Sequence, residues 1–173
     1  MIPDIEVQLQ VIIKSLKDNV VPAIDTENEL AQQQIQLSLA ELDITLGHFP
    51  LVHSTMRKDL QEHSNVAQRL IELVVDDETK VSLKAAIEAA SSALENPENG
   101  FVQLQQQARL LRDVIGSAIA ANAEGDQAEA IEKLVLETSE KTLMLGRAWN
   151  KPMGFEPDPD AVQELSAQLG LSA

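Results

Sequence analysis

Three histidines and a pair of arginines carry most of the reactive chemistry available to this chain. The histidines are His48, His53 and His63. His53 and His63 are ten residues apart, which is about 15 Å along one helix, so they cannot share a metal ion within a protomer. His48 and His53 flank Pro50 and can approach each other, but no third ligand stands near them in the sequence. A carboxylate-bridged di-iron bundle needs a Glu-x-x-His pair on each of two helices, and the chain contains no Glu-x-x-His. Without cysteine, thiolate zinc sites, disulfides and thiol catalysis are excluded. His48 is expected to serve as a cation near the C-terminal end of a helix, where the helix dipole favours positive charge. His63 falls within an apolar seam, and the expectation is a structural ring bonded to Asp59 one turn back. Arg109 and Arg112 share one side of a helix and could clamp a carboxylate or phosphate. They flank the seam, so surface ion pairs are the expected use. His63, Arg109 and Arg112 are nonetheless the candidates for contact with a small ligand.

Other patterns lead nowhere chemical. Thr138 and Thr142 could line a polar pocket, but each hydroxyl can instead bond the carbonyl four residues back. The acids Glu156, Asp158 and Asp160 alternate like the start of a calcium loop. The glycine and closing glutamate that such a loop needs are replaced by Ala161 and Ala167. No Gly-rich phosphate loop, Gly-x-Ser-x-Gly or His-Glu-x-x-His occurs. The sequence therefore assigns no catalytic residue, no metal ligand and no cofactor, and the reading leans away from an enzyme.

The composition narrows the partners. The net charge is −15, which repels phosphate backbones and anionic membrane surfaces alike, so neither nucleic acid nor a membrane is expected. No apolar run approaches the ~20 residues needed to span a bilayer. The start, Met-Ile-Pro-Asp-Ile-Glu, has no basic or apolar leader pattern, and a cytoplasmic protein is expected. Aromatic residues are only 2% of the chain, so the core must come from Leu, Ile, Val and Ala.

Apolar spacing predicts the elements that position these residues. A first helix is expected over 3–20, with Ile2, Ile5, Leu9, Ile12 and Leu16 on one face and Pro3 in its first turn. A second, over 27–48, opens on a Thr26–Glu29 capping box. Its stripe is Ile35, Leu39, Leu42, Leu46 and Phe49, widened by Leu30, Leu37 and Ile44. A third covers 51–75 with Val52, Met56, Leu60, His63, Ala67, Leu70 and Val74 on its seam. A fourth, over 78–95, is Ala-rich and capped by Asp76 or Asp77. A fifth opens at Asn96–Pro97 and stops at Gly125, with a seam of Phe101, Leu104, Ala108, Leu111, Ile115 and Ala118. A sixth reopens at Asp126, with a seam of Ile131, Val135, Thr138, Thr142, Leu145 and Trp149. Three prolines between 150 and 160 forbid helix there, and a short last helix is expected over 160–169.

The fold class is therefore all-α: an antiparallel bundle of five to six helices over 1–149, followed by a Pro-rich extension over 150–173. Trp149, Met153 and Phe155 are expected to dock the extension on the bundle or on a neighbouring protomer, or to meet a partner. Small residues on helix 4 (Ala85, Ala86, Ala89, Ala90, Ser91, Ser92 and Ala93) allow close helix approach, and a homodimer is expected. The stretch from Leu16 to Asp25, with Leu30-Ala-Gln-Gln-Gln and Glu41-Leu-Asp, resembles the opening of small uncharacterised bacterial all-helical proteins. Some of these accompany aminoglycoside-phosphotransferase-like kinases and acyl-CoA dehydrogenases. The resemblance covers the first third of the chain. It implies a bacterial accessory protein and transfers no functional residue. The expected function is a non-enzymatic interaction protein with an unknown protein partner. The alternative is a ligand-binding or enzymatic bundle using His63, Arg109 or Arg112.

Overall fold

The computed structural model describes residues 4–171, and the expected roles of Ile2 and Pro3 lie outside them. The described residues form α-helices, short 3₁₀ turns and a π-turn, with no strand. The helices are α1 (Ile5–Ser15), α2 (Glu29–His48), α3 (Val52–Leu73), α4 (Asp77–Glu95), α5 (Phe101–Ala121), α6 (Ala128–Asn150) and α7 (Leu165–Gln168). They fall into two compact units. One runs to Leu51 and takes in Trp149–Ala161; the other comprises Val52–Ala148 with the final residues from Val162.

In the first unit, α1 packs on α2. Asp4 caps α1, accepting hydrogen bonds from the amides of Glu6 (3.0 Å) and Val7 (3.3 Å). The α-helix ends at Ser15, short of the expected 20, and continues as a π-turn over Leu16–Val20 and a 3₁₀ turn over Val21–Ala23. Pro22 explains the change. It has no amide hydrogen and its ring crowds the carbonyl four residues back, so the preceding hydrogen bonds widen in register. The amide of Val21 bonds Leu16 instead of Lys17. The start of α2 also differs from expectation. Asn28 is its cap, accepting from the Ala31 amide at 3.0 Å, while Asp25 accepts from the Glu27 amide at 2.9 Å and holds residues 25–27 in a turn. A better capping residue two positions on displaces the Thr26–Glu29 box.

The second unit is a four-helix bundle. α4 packs on both α3 and α5, which also pack on each other. α3 and α5 run parallel, since His53 pairs with Asn99 near their starts and Asp59 with Arg112 further along. α6 runs antiparallel to α3: Leu73 and Ala130 line one cleft, and Arg69 meets Glu137 one to two turns away. The core contains Leu60, Leu70, Leu83, Leu104, Leu111 and Leu134. The α5 seam is as expected from Leu104 to Ala118, although Phe101 is exposed. On α6, Leu134 is buried and Thr142 is exposed, so the buried face is rotated from the expected seam. Asn96 does not open α5. It closes α4, and the turn Asn96–Asn99 places Pro97 second, with the Asn99 amide on the Asn96 carbonyl at 3.2 Å. Gly100 is the α5 cap. The last helix is shorter than expected, preceded by a 3₁₀ turn at Pro159–Ala161. Gly170 ends it in the left-handed region at φ 69°, and the Leu171 amide reaches back to the Ser166 carbonyl at 2.9 Å.

Candidate functional site

The polar groups that converge in the structure are Asp59, His63 and Arg112, all in the second unit. Asp59 and His63 sit one turn apart on α3, and Arg112 comes from α5. The His63 Nδ1 donates to the Asp59 carbonyl at 2.7 Å and lies 3.3 Å from the carboxylate Oδ1. Arg112 donates to the other carboxylate oxygen, Oδ2, at 3.1 Å. Burial by itself would raise the Asp59 carboxyl. The His63 hydrogen bond and charge, with the Arg112 guanidinium, outweigh it and hold the group below the usual carboxylate range. Burial likewise pushes His63 down, but its bonds to Asp59 and the carboxylate charge win, and its pKa is raised. The cluster therefore behaves as a charge-matched clasp between two helices. Its donors and acceptors largely satisfy one another.

Two of the three ligand-contact candidates are thus brought together. Arg109 is not: it is exposed, and no ion pair to it occurs among the described residues. Asp59 is visible from the sequence as a partner of His63, but its link to Arg112 is not, because the two residues are 53 positions apart. Thr138 bonds the Leu134 carbonyl at 2.7 Å and Thr142 the Thr138 carbonyl at 3.4 Å, so both hydroxyls turn back on their own helix. Open clefts on this unit include the following two. One, of about 270 Å³, has Arg69, Glu72, Lys133 and Glu137 along it. The other, of about 440 Å³, has Asp76, Glu78, Asp113 and Ser117 along it. Neither is lined by His63, Arg109 or Arg112.

His48 is not the expected cation. It is only 6% exposed, and its buried Nδ1 has no hydrogen-bond partner among the described residues. Burial lowers its pKa and so favours the neutral ring. Its neighbour is Trp149, with ring centroids 4.5 Å apart and planes tilted by 45°. Desolvation by packing has overridden the pull of the helix dipole. His53, at the start of α3, instead uses Nε2 on the Asn99 carbonyl at 3.2 Å. Among the described residues no group of three or more His, Asp or Glu is placed to hold a metal ion.

The expected docking trio divides. Trp149 packs on His48, whereas Met153 is exposed and Phe155 is 75% exposed. The buried residues of the tail are Val162 at 1% and Leu165 at 4% exposure. Val162 and Leu165 are not legible from the sequence, because a Val and a Leu in a mixed polar stretch give no periodic signal. Large apolar side chains also remain exposed in the first unit. On α1 these are Ile5, Val7, Val11 and Ile12, with only Ile13 buried. On α2, Leu30 and Leu37 are exposed and Ile44 is half-buried, so most of the stripe expected to widen the buried face is open. No helix among the described residues is long and apolar enough to cross a membrane.

No family model matches the chain, and neither a curated protein nor a solved structure shows significant similarity to it.

Proposed function

We propose that this chain is a non-enzymatic interaction protein, working as a homodimer in a bacterial cytoplasm and engaging a protein partner through its helical surfaces and tail. The observation that supports it is the exposed apolar surface of α1 and α2. Four of the eleven residues of α1 are large, apolar and exposed. An α-helical hairpin that leaves such side chains in water gains by covering them with another chain. Leu30, Leu37 and Ile44 repeat every seven residues, a spacing that keeps them on one face of α2 and suits contact with another helix. Light scattering over a concentration series tests the oligomer. The wild type is expected to be dimeric, and Leu30→Glu with Leu37→Glu to be monomeric. A wild type that stays monomeric at high micromolar concentration removes the homodimer. Affinity purification from the native host, with mass spectrometry, tests the partner.

The second reading, a ligand-binding bundle, draws support from the Asp59–His63–Arg112 cluster. It is weaker because Asp59 already engages both cations and Arg109 stands apart.

A further inference from the structure

Phe155 is the most exposed large apolar side chain in the described residues, at 75%. It stands on a segment with a defined shape. The 3₁₀ turn Lys151–Met153 closes with the Gly154 amide on the Lys151 carbonyl at 3.1 Å. Gly154 then turns the chain in the left-handed region, at φ 76°. The Asp158 amide bonds the Glu156 carboxylate at 3.3 Å, and the Ala161 amide bonds the Asp158 carbonyl at 3.3 Å. Pro152, Pro157 and Pro159 remove further freedom. A segment held by its own bonds loses little additional entropy when it docks.

Its charge is one-sided. From Lys151 to Ala173 the chain carries Glu156, Asp158, Asp160 and Glu164, and no Lys or Arg follows Lys151. Three of those acids follow Phe155 within five residues. Acids around an aromatic anchor select a cationic rim on the partner. For this acidic segment, as distinct from the apolar face of α2, a second copy of this chain with net charge −15 is a poor match. Phosphate backbones and anionic lipid are repelled for the same reason. We propose that residues 154–160 form a docking segment whose anchor is Phe155, and that its partner is a protein presenting an apolar pocket rimmed by Lys and Arg. The inference rests on the interaction-protein reading and assigns that partner's chemistry.

The test places benzoylphenylalanine, an aromatic photocrosslinker, at position 155 in the full-length protein within its native host, and separately at position 37 on the open face of α2. A protein adduct from position 155 is expected. Its yield should fall at least about tenfold with Asp158→Lys and Asp160→Lys, which leave the Glu156 bond to the loop in place. With the purified partner, Phe155→Ser should weaken binding by about thirtyfold, as loss of an aromatic anchor does, without changing the melting temperature. An adduct from position 37 alone overturns the inference and leaves the interaction reading standing. No adduct from either position removes both. Crosslinking of position 155 to a second copy or to lipid overturns the proposal, as does an adduct undiminished by the lysine substitutions.

Discussion

His48 and His63 are histidines in one chain with opposite electrostatics. His48 is buried beside Trp149 with its Nδ1 unbonded among the described residues, and burial lowers its pKa. The folded state therefore binds this proton more weakly than the unfolded chain. The contribution of neutral His48 is present above the ordinary imidazole value of ~6.5 and is lost as pH falls below it. Trp149 is the only tryptophan, so its fluorescence should change across that acid limb, and the change should disappear in His48→Gln. A fluorescence titration identical in the two proteins would count against the buried neutral ring. His63 has a raised pKa because Asp59 stabilises its cation. Its contribution is fully present below ~6.5 and is lost as pH rises through the elevated folded value. His63→Ala is expected to cost on the order of 1–3 kcal/mol at mildly acidic pH and less under alkaline conditions, and His63→Leu to cost less than Ala. Denaturant melts of both variants at two pH values check the magnitude and the sign.

The helices reflect competition between local signals that the sequence presents side by side. Thr26–Glu29 and Asn28 both offer a start for α2, and only one can hold the first free amides. The structure uses Asn28. Asn28→Ala should therefore lower stability by about 1 kcal/mol, whereas Thr26→Ala should change it by less than ~0.5 kcal/mol. Thermal melts of the two variants decide between the caps. Pro22 shows a similar effect at the end of α1. The proline was legible as a stop, but the π-turn before it was not, because the register of the widened bonds depends on where the following turn goes. At Asn96, one residue could end α4 or begin α5. Asn99 settles the matter by donating its side-chain amide to the Ala93 carbonyl at 3.0 Å, near the C-terminal end of α4.

On the scale of the whole molecule, the tail contributes through Val162 and Leu165 rather than through its aromatic and sulfur-containing residues. Leu165→Ala should destabilise the protein by about 2–5 kcal/mol, the range for a buried leucine. Phe155→Ala should leave stability within ~0.5 kcal/mol of wild type. A chain ending at Asn150 should melt lower than the full-length protein. Equal melting temperatures for the truncated and complete chains would show that the burial of Val162 and Leu165 contributes little.

The all-helical class, the number of long helices and the leucine-rich core follow from the 3.6-residue spacing of apolar residues, which is local and needs no partner to be read. The absence of cysteine and the net charge of −15 are likewise read from composition alone. Tertiary packing decided the rest. It separated α1 and α2 from the four-helix bundle, although their apolar stripes look alike in sequence. It chose Ile13 and Leu39 for burial and left Ile5, Ile12, Leu30 and Leu37 in water. It buried His48 and lowered its pKa, and it joined Asp59 to Arg112 across two helices. An apolar stripe states only that a face can be buried. Which face is covered, and which histidine keeps its proton, depends on the residues brought opposite it from distant parts of the chain.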